Sequence, residues 1–280
     1  MHDKAARTHR AVSAARAVAF RYGIRADKAR VLHDANNIVV HLAPSPVVAK
    51  VCPSATTRGM QKLGAEMAIA RHLVGAGAPV VGPSSELPAG PHVYCDHAIT
   101  FWRYHDHDPE AAVSVCEAGN TLAQVHMALD AHPGLLRSFL DMQVKRAGDL
   151  LAGATSLPML KVGTRAFLRG EYASITSQLH SRNLRCRALH GDPHRGNFLV
   201  GPTGCLMIDF ESVCSGPLEW DLSAIPGGGA GLFDVEEDLL QLLRRLRSLC
   251  VAVWCWTRSD RSSAFERAAM DHFDLLRRAA

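Results

Sequence analysis

The sequence lacks any uninterrupted apolar stretch near the roughly 18 residues that a membrane-spanning helix needs, so a spanning protein is not expected. It also lacks a Cys-x-x-Cys pair. Its eight cysteines, Cys52, Cys95, Cys116, Cys186, Cys205, Cys214, Cys250 and Cys255, are scattered without zinc-ligand spacing and read as reduced thiols of a cytoplasmic protein. No basic tract is present. The formal net charge of +4 is spread along the chain, which makes nucleic acid a poor default partner. A nucleic-acid reading would have to use the local groups Arg182, Arg185, Arg187 and Arg244, Arg245, Arg247. No internal repeat is visible.

What is present suits a globular chain. The 280 residues are 48% hydrophobic and 21% charged, enough to build a core without disulfides and to form two bodies or one body with two lobes. The N-terminal MHDKAARTHRAVSAARAVAF is rich in Ala and Arg. Arg breaks its apolar run too often for a secretory signal, and the same bias runs through the whole chain, so it reads as a first helix. VLHDANNIVVHL and PVVAKV read as two β-runs separated by the turn formers of residues 43–46. TRGMQKLGAEMAIARHLVGAG places Met60, Leu63, Met67, Ala70 and Val74 at helical spacing and ends in glycines. HVYCDHAITFWRY reads as an aromatic and β-branched strand. Beyond about Asp108 the pattern turns to long amphipathic helices over 109–129, 135–151 and 165–182, and again from about 235 to the end.

The chemistry concentrates in His190-Gly191-Asp192-Pro193-His194-Arg195-Gly196-Asn197 and, after a short apolar hairpin, Ile208-Asp209-Phe210-Glu211. A carboxylate, an amide oxygen five residues later and a second carboxylate beyond the hairpin suit a hard oxygen-ligated cation such as Mg2+. One carboxylate is left over for a proton. His105-Asp106-His107-Asp108 is a poorer metal candidate, since only alternate side chains of an extended run share a face.

HGDPHRGN followed by IDFE resembles the HGDxxxxN...D signature of the aminoglycoside phosphotransferase and choline kinase family, whose fold is protein-kinase-like. The resemblance covers about residues 30 to 225. It implies an α+β, bilobal protein-kinase-like fold, with a small β-rich N-terminal lobe over 1–101 that binds nucleotide and a larger, mainly helical C-terminal lobe over 102–280. It further implies Asp192 as the catalytic base, Asn197 and Asp209 as Mg2+ ligands, and Lys50 with Glu66 as the pair that serves the nucleotide phosphates. Backbone near Trp102 and Tyr104 would face the nucleobase, and Asn37, or its neighbour Asn36, would contribute to the loop over the phosphates. His190 and Asp221 would be structural, bracing the catalytic loop. Two features depart from protein kinases: HDANN has no glycine, and Glu211 stands where DFG has Gly.

The expected activity is transfer of the γ-phosphate of ATP, with GTP as the other donor, to a hydroxyl of a small molecule. The protein is expected as a monomer or homodimer without membrane or nucleic-acid partners. Glu211 is the first candidate for contact with a cationic acceptor, followed by Glu219, Asp234 and Glu236–Asp238, although acidic residues also suit a helix N-terminus. A catalytically weak nucleotide-binding module of the same fold is the alternative.

Overall fold

The structure, a computed structural model, describes residues 2–153, 157, 160–225, 231–257 and 263–279. These residues fall into two compact units. The first is bounded as Met1–Val113, Thr121–His132 and Asn197–Glu211; the second as Ser114–Asn120, Pro133–Gly196 and Ser212–Ala280. Residues 197–211 therefore pack with the first unit, although chain order alone assigns them to the stretch 102–280.

The first unit is built on a five-stranded antiparallel sheet of β1 (Arg30–Asp34), β2 (Ile38–His41), β3 (Val47–Cys52), β4 (His92–Tyr94) and β5 (His97–Arg103), in the order β1-β2-β3-β5-β4. Alternation along β3 decides its two faces. Val47, Ala49 and Val51 join a core with Ile38, Val40, Ile99 and Phe101. That core is closed by Ala11, Ala14, Ala15, Val18 and Ala19 of α1 (His2–Phe20), whose small side chains at helical spacing let the helix lie close to the sheet. Lys50, one residue out of phase with that core, pairs with Thr100 on the opposite face. α2 (Thr57–Gly75) starts at Thr56, whose side chain accepts the Gly59 N–H, and buries Leu63, Glu66, Met67, Ala70 and Leu73. Leu73 takes the buried place expected of Val74, which is exposed.

Two extended runs of the sequence are hairpins. VLHDANNIVVHL folds back at residues 35–37 into β1 and β2, where Asn36 and Asn37 supply turn chemistry. HVYCDHAITFWRY folds back at Cys95 and Asp96, both with positive φ, as a two-residue turn between β4 and β5 requires.

Helix α3 (Val115–Asp130) runs from the second unit's Ser114–Asn120 segment into the first unit's Thr121–His132 segment. The second unit further contains a π-helical turn at Leu140–Val144, α4 (Lys145–Ala152), α5 (Val162–His180), the two-stranded sheet of β6 (Cys186–Leu189) with a strand at Cys214–Pro217, α6 (Leu218–Leu222), α7 (Glu237–Trp256) and α8 (Ser263–Ala279). Its core gathers Phe139, Leu168, Ile175, Leu189, Trp220, Leu243, Leu246 and Leu276. The final hairpin, β7 (Phe198–Gly201) and β8 (Gly204–Met207), belongs to the first unit; the Cys214–Pro217 strand is β9. Among the described residues no helix is long and apolar enough to cross a membrane.

Candidate active site

In the first unit, Lys50 collects three carboxylates from two segments, α2 and the stretch that follows β8. Its Nζ donates to both oxygens of Glu66 at 2.8 and 2.9 Å and to Asp209 Oδ1 at 2.9 Å, and lies 2.7 Å from Glu211 Oε1. The sheet explains the lysine: β3 turns it away from the α1 core, toward the side on which α2 buries Glu66. Burial opposes its charge, yet Glu66, Asp209 and Glu211 together push the ammonium above its ordinary pKa. Glu66 is raised by burial, against the pull of Lys50, and by the neighbouring Asp209 and Glu211 charges. Burial would raise Glu211 too, but Lys50 and Lys62 hold it below the usual carboxylate range.

The β7–β8 hairpin delivers Asp209 to this cluster. Main-chain bonds tie the hairpin to the segment after α2, with Val81 N–H to Met207 O at 3.0 Å and Met207 N–H to Pro79 O at 2.9 Å. Phe198 pairs with Met207, and Ile208 N–H donates to Asn197 O at 3.1 Å, so Asn197 and Asp209 sit at the two facing ends of the hairpin. Asp209 has φ +67, a left-handed conformation that Asp tolerates better than most residues, and its side chain is 46% exposed. Glu66, Asp209 and Glu211 offer carboxylate oxygens within 4.8 Å of one another, the one such metal-capable cluster among the described residues. An all-oxygen donor set with surplus negative charge fits Mg2+.

Other residues expected near the nucleotide are held in specific ways. Asn37 Nδ2 donates to Glu211 Oε1 at 2.6 Å, and Lys62 Nζ reaches Glu211 Oε2 at 3.2 Å, so Glu211 faces the lysine cluster. Trp102 is buried and its indole N–H donates to Thr100 Oγ1 at 3.0 Å. Tyr104 gives its N–H to Pro46 O at 2.9 Å, stacks on His41 at 3.7 Å and accepts a hydrogen bond from Arg30 at 2.9 Å. These bonds commit the Tyr104 amide and ring to the fold.

In the second unit the loop after β6 is pinned from two sides. Asp221, fully buried in the second half of the short helix α6, accepts the N–H groups of His190 and Gly191, both at 2.8 Å. Gly191 has φ +87, and a Cβ there would collide with the Ser212 carbonyl, so this position requires glycine. The Asp192 N–H donates to His190 Nδ1 at 3.3 Å. From the other side, Arg247 Nη1 donates to Asp192 Oδ1 at 3.1 Å. The sequence placed Arg247 only in a basic group; its helical phase with Leu243, Leu246 and Cys250 was the signal that this arginine faces inward.

Of the acidic residues expected beside a cationic acceptor, Glu219, Glu236 and Glu237 have internal partners. Glu219 accepts the Glu236 N–H at 3.1 Å, Arg182 holds Glu236 at 2.6 Å, and Arg244 lies 3.8 Å from Glu237. His105–Asp108 stand outside the metal-capable cluster.

The sequence model of the phosphotransferase enzyme family matches residues 29–260. No curated protein sequence is significantly similar to the chain. Several solved structures share the fold. The choline/ethanolamine kinase family protein from Mesorhizobium loti has a TM-score of 0.66 at 18% identity, covering 97% of this chain and 94% of that chain. Amicoumacin kinase has a TM-score of 0.70 at 13% identity, covering 95% and 93%. Choline kinase LicA from Streptococcus pneumoniae has a TM-score of 0.66 at 14% identity, covering 94% and 97%. At these identities the structural likeness speaks for the fold, which is the α+β kinase-like fold of choline kinases and aminoglycoside phosphotransferases. Because the family match runs through both units and takes in the HGDPHRGN and IDFE segments, the chain belongs to the phosphotransferase enzyme family.

Proposed function

We propose that the protein is a small-molecule kinase that moves the γ-phosphate of a nucleoside triphosphate, ATP or GTP, to a hydroxyl of its acceptor. The observation that carries this reading is the Lys50–Glu66–Asp209 cluster, in which a strand, a helix and a distant hairpin converge at 2.8 to 2.9 Å on one buried ammonium. Nucleotides accompany structural relatives: amicoumacin kinase was solved with AMP-PNP and Ca2+, and aminoglycoside 2'-phosphotransferase-IIIa with GDP.

Phosphoryl transfer asks a protein for positioning and charge stabilisation. Lys50, oriented by Glu66, binds the triphosphate oxygens. Asn197 and Asp209 would hold Mg2+, with Glu211 beside them, and the ion would supply charge neutralisation on the phosphates. Asp192 accepts a hydrogen bond from the acceptor hydroxyl, aims its oxygen at the γ-phosphorus and takes its proton as the new O–P bond forms and the bond to the diphosphate breaks. His190 and Asp221 keep the Asp192 backbone in place.

The test is a panel of hydroxylated metabolites and aminoglycosides with Mg-ATP and Mg-GTP, reading nucleoside diphosphate release. Acceptor-dependent release is expected. Tight nucleotide binding without stimulation by any acceptor would favour the catalytically weak module, and absence of nucleotide binding would overturn the reading.

A further inference from the structure

An arginine in the apolar stripe of a core helix needs partners for every N–H it carries, because burying an unpaired charge is very costly. Arg247 of α7 is 6% exposed among Leu243, Leu246, Leu249 and Cys250. Its Nε donates to Ser223 Oγ at 2.7 Å, and its Nη2 to Trp220 O at 2.8 Å and Gly191 O at 3.2 Å. The guanidinium carbon lies 4.0 Å from the centre of the Trp220 ring. Those contacts leave the planar fork one orientation, in which Nη1 meets Asp192 Oδ1 at 3.1 Å.

We propose that Arg247 is a positioning residue for phosphoryl transfer: anchored on α6, Ser223 and the Gly191 carbonyl, its guanidinium fixes the orientation of the Asp192 carboxylate toward the acceptor hydroxyl. This rests on the reading of Asp192 as the acceptor-side carboxylate. It also assigns Asp192 its manner of action. A carboxylate held in one orientation is suited to aiming a hydroxyl and receiving its proton as the loose transition state forms.

The groups facing Arg247 come from five segments. Asp192 lies on the loop after β6, Asp221 on α6, Cys214 on β9, and Cys250 on α7 itself; His272 of α8 also feels its charge. Burial pushes both thiols up, Cys250 to about 12, and pushes the His272 imidazole down, so these three are neutral near pH 7. The charges that answer Arg247 are therefore Asp192 and Asp221, and Asp221 is already engaged by the His190 and Gly191 amides.

The test compares Arg247→Met, Arg247→Lys, Asp192→Asn and the Asp192→Asn/Arg247→Met double variant in steady-state transfer with the acceptor found in the panel. Arg247→Met is expected to lower kcat roughly 10- to 100-fold with the KM for nucleotide unchanged. Arg247→Lys should recover only part of kcat, because an ammonium keeps the charge but not the fixed geometry of the fork. In the Asp192→Asn background Arg247→Met should have no further effect. A folded Arg247→Met enzyme with wild-type kcat, alongside an inactive Asp192→Asn, overturns this inference and leaves the kinase reading intact. Wild-type transfer by Asp192→Asn overturns the assignment of Asp192 beneath it. Failure of both Arg247 variants to fold, judged by thermal melting, also overturns the inference, in favour of a purely structural arginine.

Discussion

The two units each bury a cation beside carboxylates, and they use opposite chemistries to do it. In the first, Lys50 is a point charge whose partners Glu66, Asp209 and Glu211 are all side-chain carboxylates. With Lys62 included, two ammonium groups face three carboxylates, and Asp209 is substantially exposed. In the second, Arg247 is a rigid fork, and three of its four acceptors are two main-chain carbonyls and a hydroxyl. Carboxylates can exchange a lysine for a metal ion or give way to a phosphate; carbonyls of a folded loop cannot. The first cluster is thus built to rearrange around a charged ligand, and the second to stay as it is.

The greatest loss is expected in the second unit. Asp192→Asn should lower acceptor-dependent turnover by about 100- to 10,000-fold while nucleotide affinity, measured by calorimetry, stays near wild type. A parallel loss of nucleotide affinity would mean that the two clusters do not divide the work in this way. Lys50→Met tests the first unit. Removing the cation leaves Glu66 buried beside two other carboxylates, at a cost of about 3 to 5 kcal/mol in denaturant unfolding. Lys50→Met/Glu66→Gln should regain most of that stability and none of the nucleotide affinity. Recovery of both would make the pair merely structural.

A smaller effect is expected from Asp221→Ala, which strands the buried amides of His190 and Gly191 at about 1 to 3 kcal/mol. Its kcat should fall together with its melting temperature, since the loop that carries Asp192 loosens. The smallest effect concerns pH. Glu211 is held below the usual carboxylate range in the folded chain, so its contribution is present above its unfolded pKa and is lost as pH falls through the lowered folded value. Glu211→Gln should flatten that acid-side loss, seen as melting temperature against pH. An unchanged slope would show that Lys50 and Lys62 do not select for its anionic form.

Much of the fold was legible because it depends on local periodicity. The α2 helix follows from the spacing of Leu63, Met67 and Ala70, and the N-terminal helix from its alanine face. The strands were less legible. VLHDANNIVVHL reads as one β-run because its apolar residues continue past Asn37, and only pairing to β3 shows that the chain turned at 35–37. Lys50, Asp209 and Glu66 could be named from motif order. Their meeting at one nitrogen depends on β3 alternation, the register of β7 with β8, and the two main-chain bonds at Met207.

The sequence by itself determined the family and the order of its motifs, because HGDPHRGN and IDFE carry donor atoms at fixed chain spacing. It also set the helical phase that sends Arg247 into a core. Only the tertiary structure decided that residues 197–211 pack with the first unit, that Glu211 faces two lysines, and that Arg247 ends on Asp192. The physical reason is range. Periodicity and motif spacing act over a few residues, whereas the partner of a buried charge is chosen by whichever distant segment brings an acceptor to it, here 55 residues away.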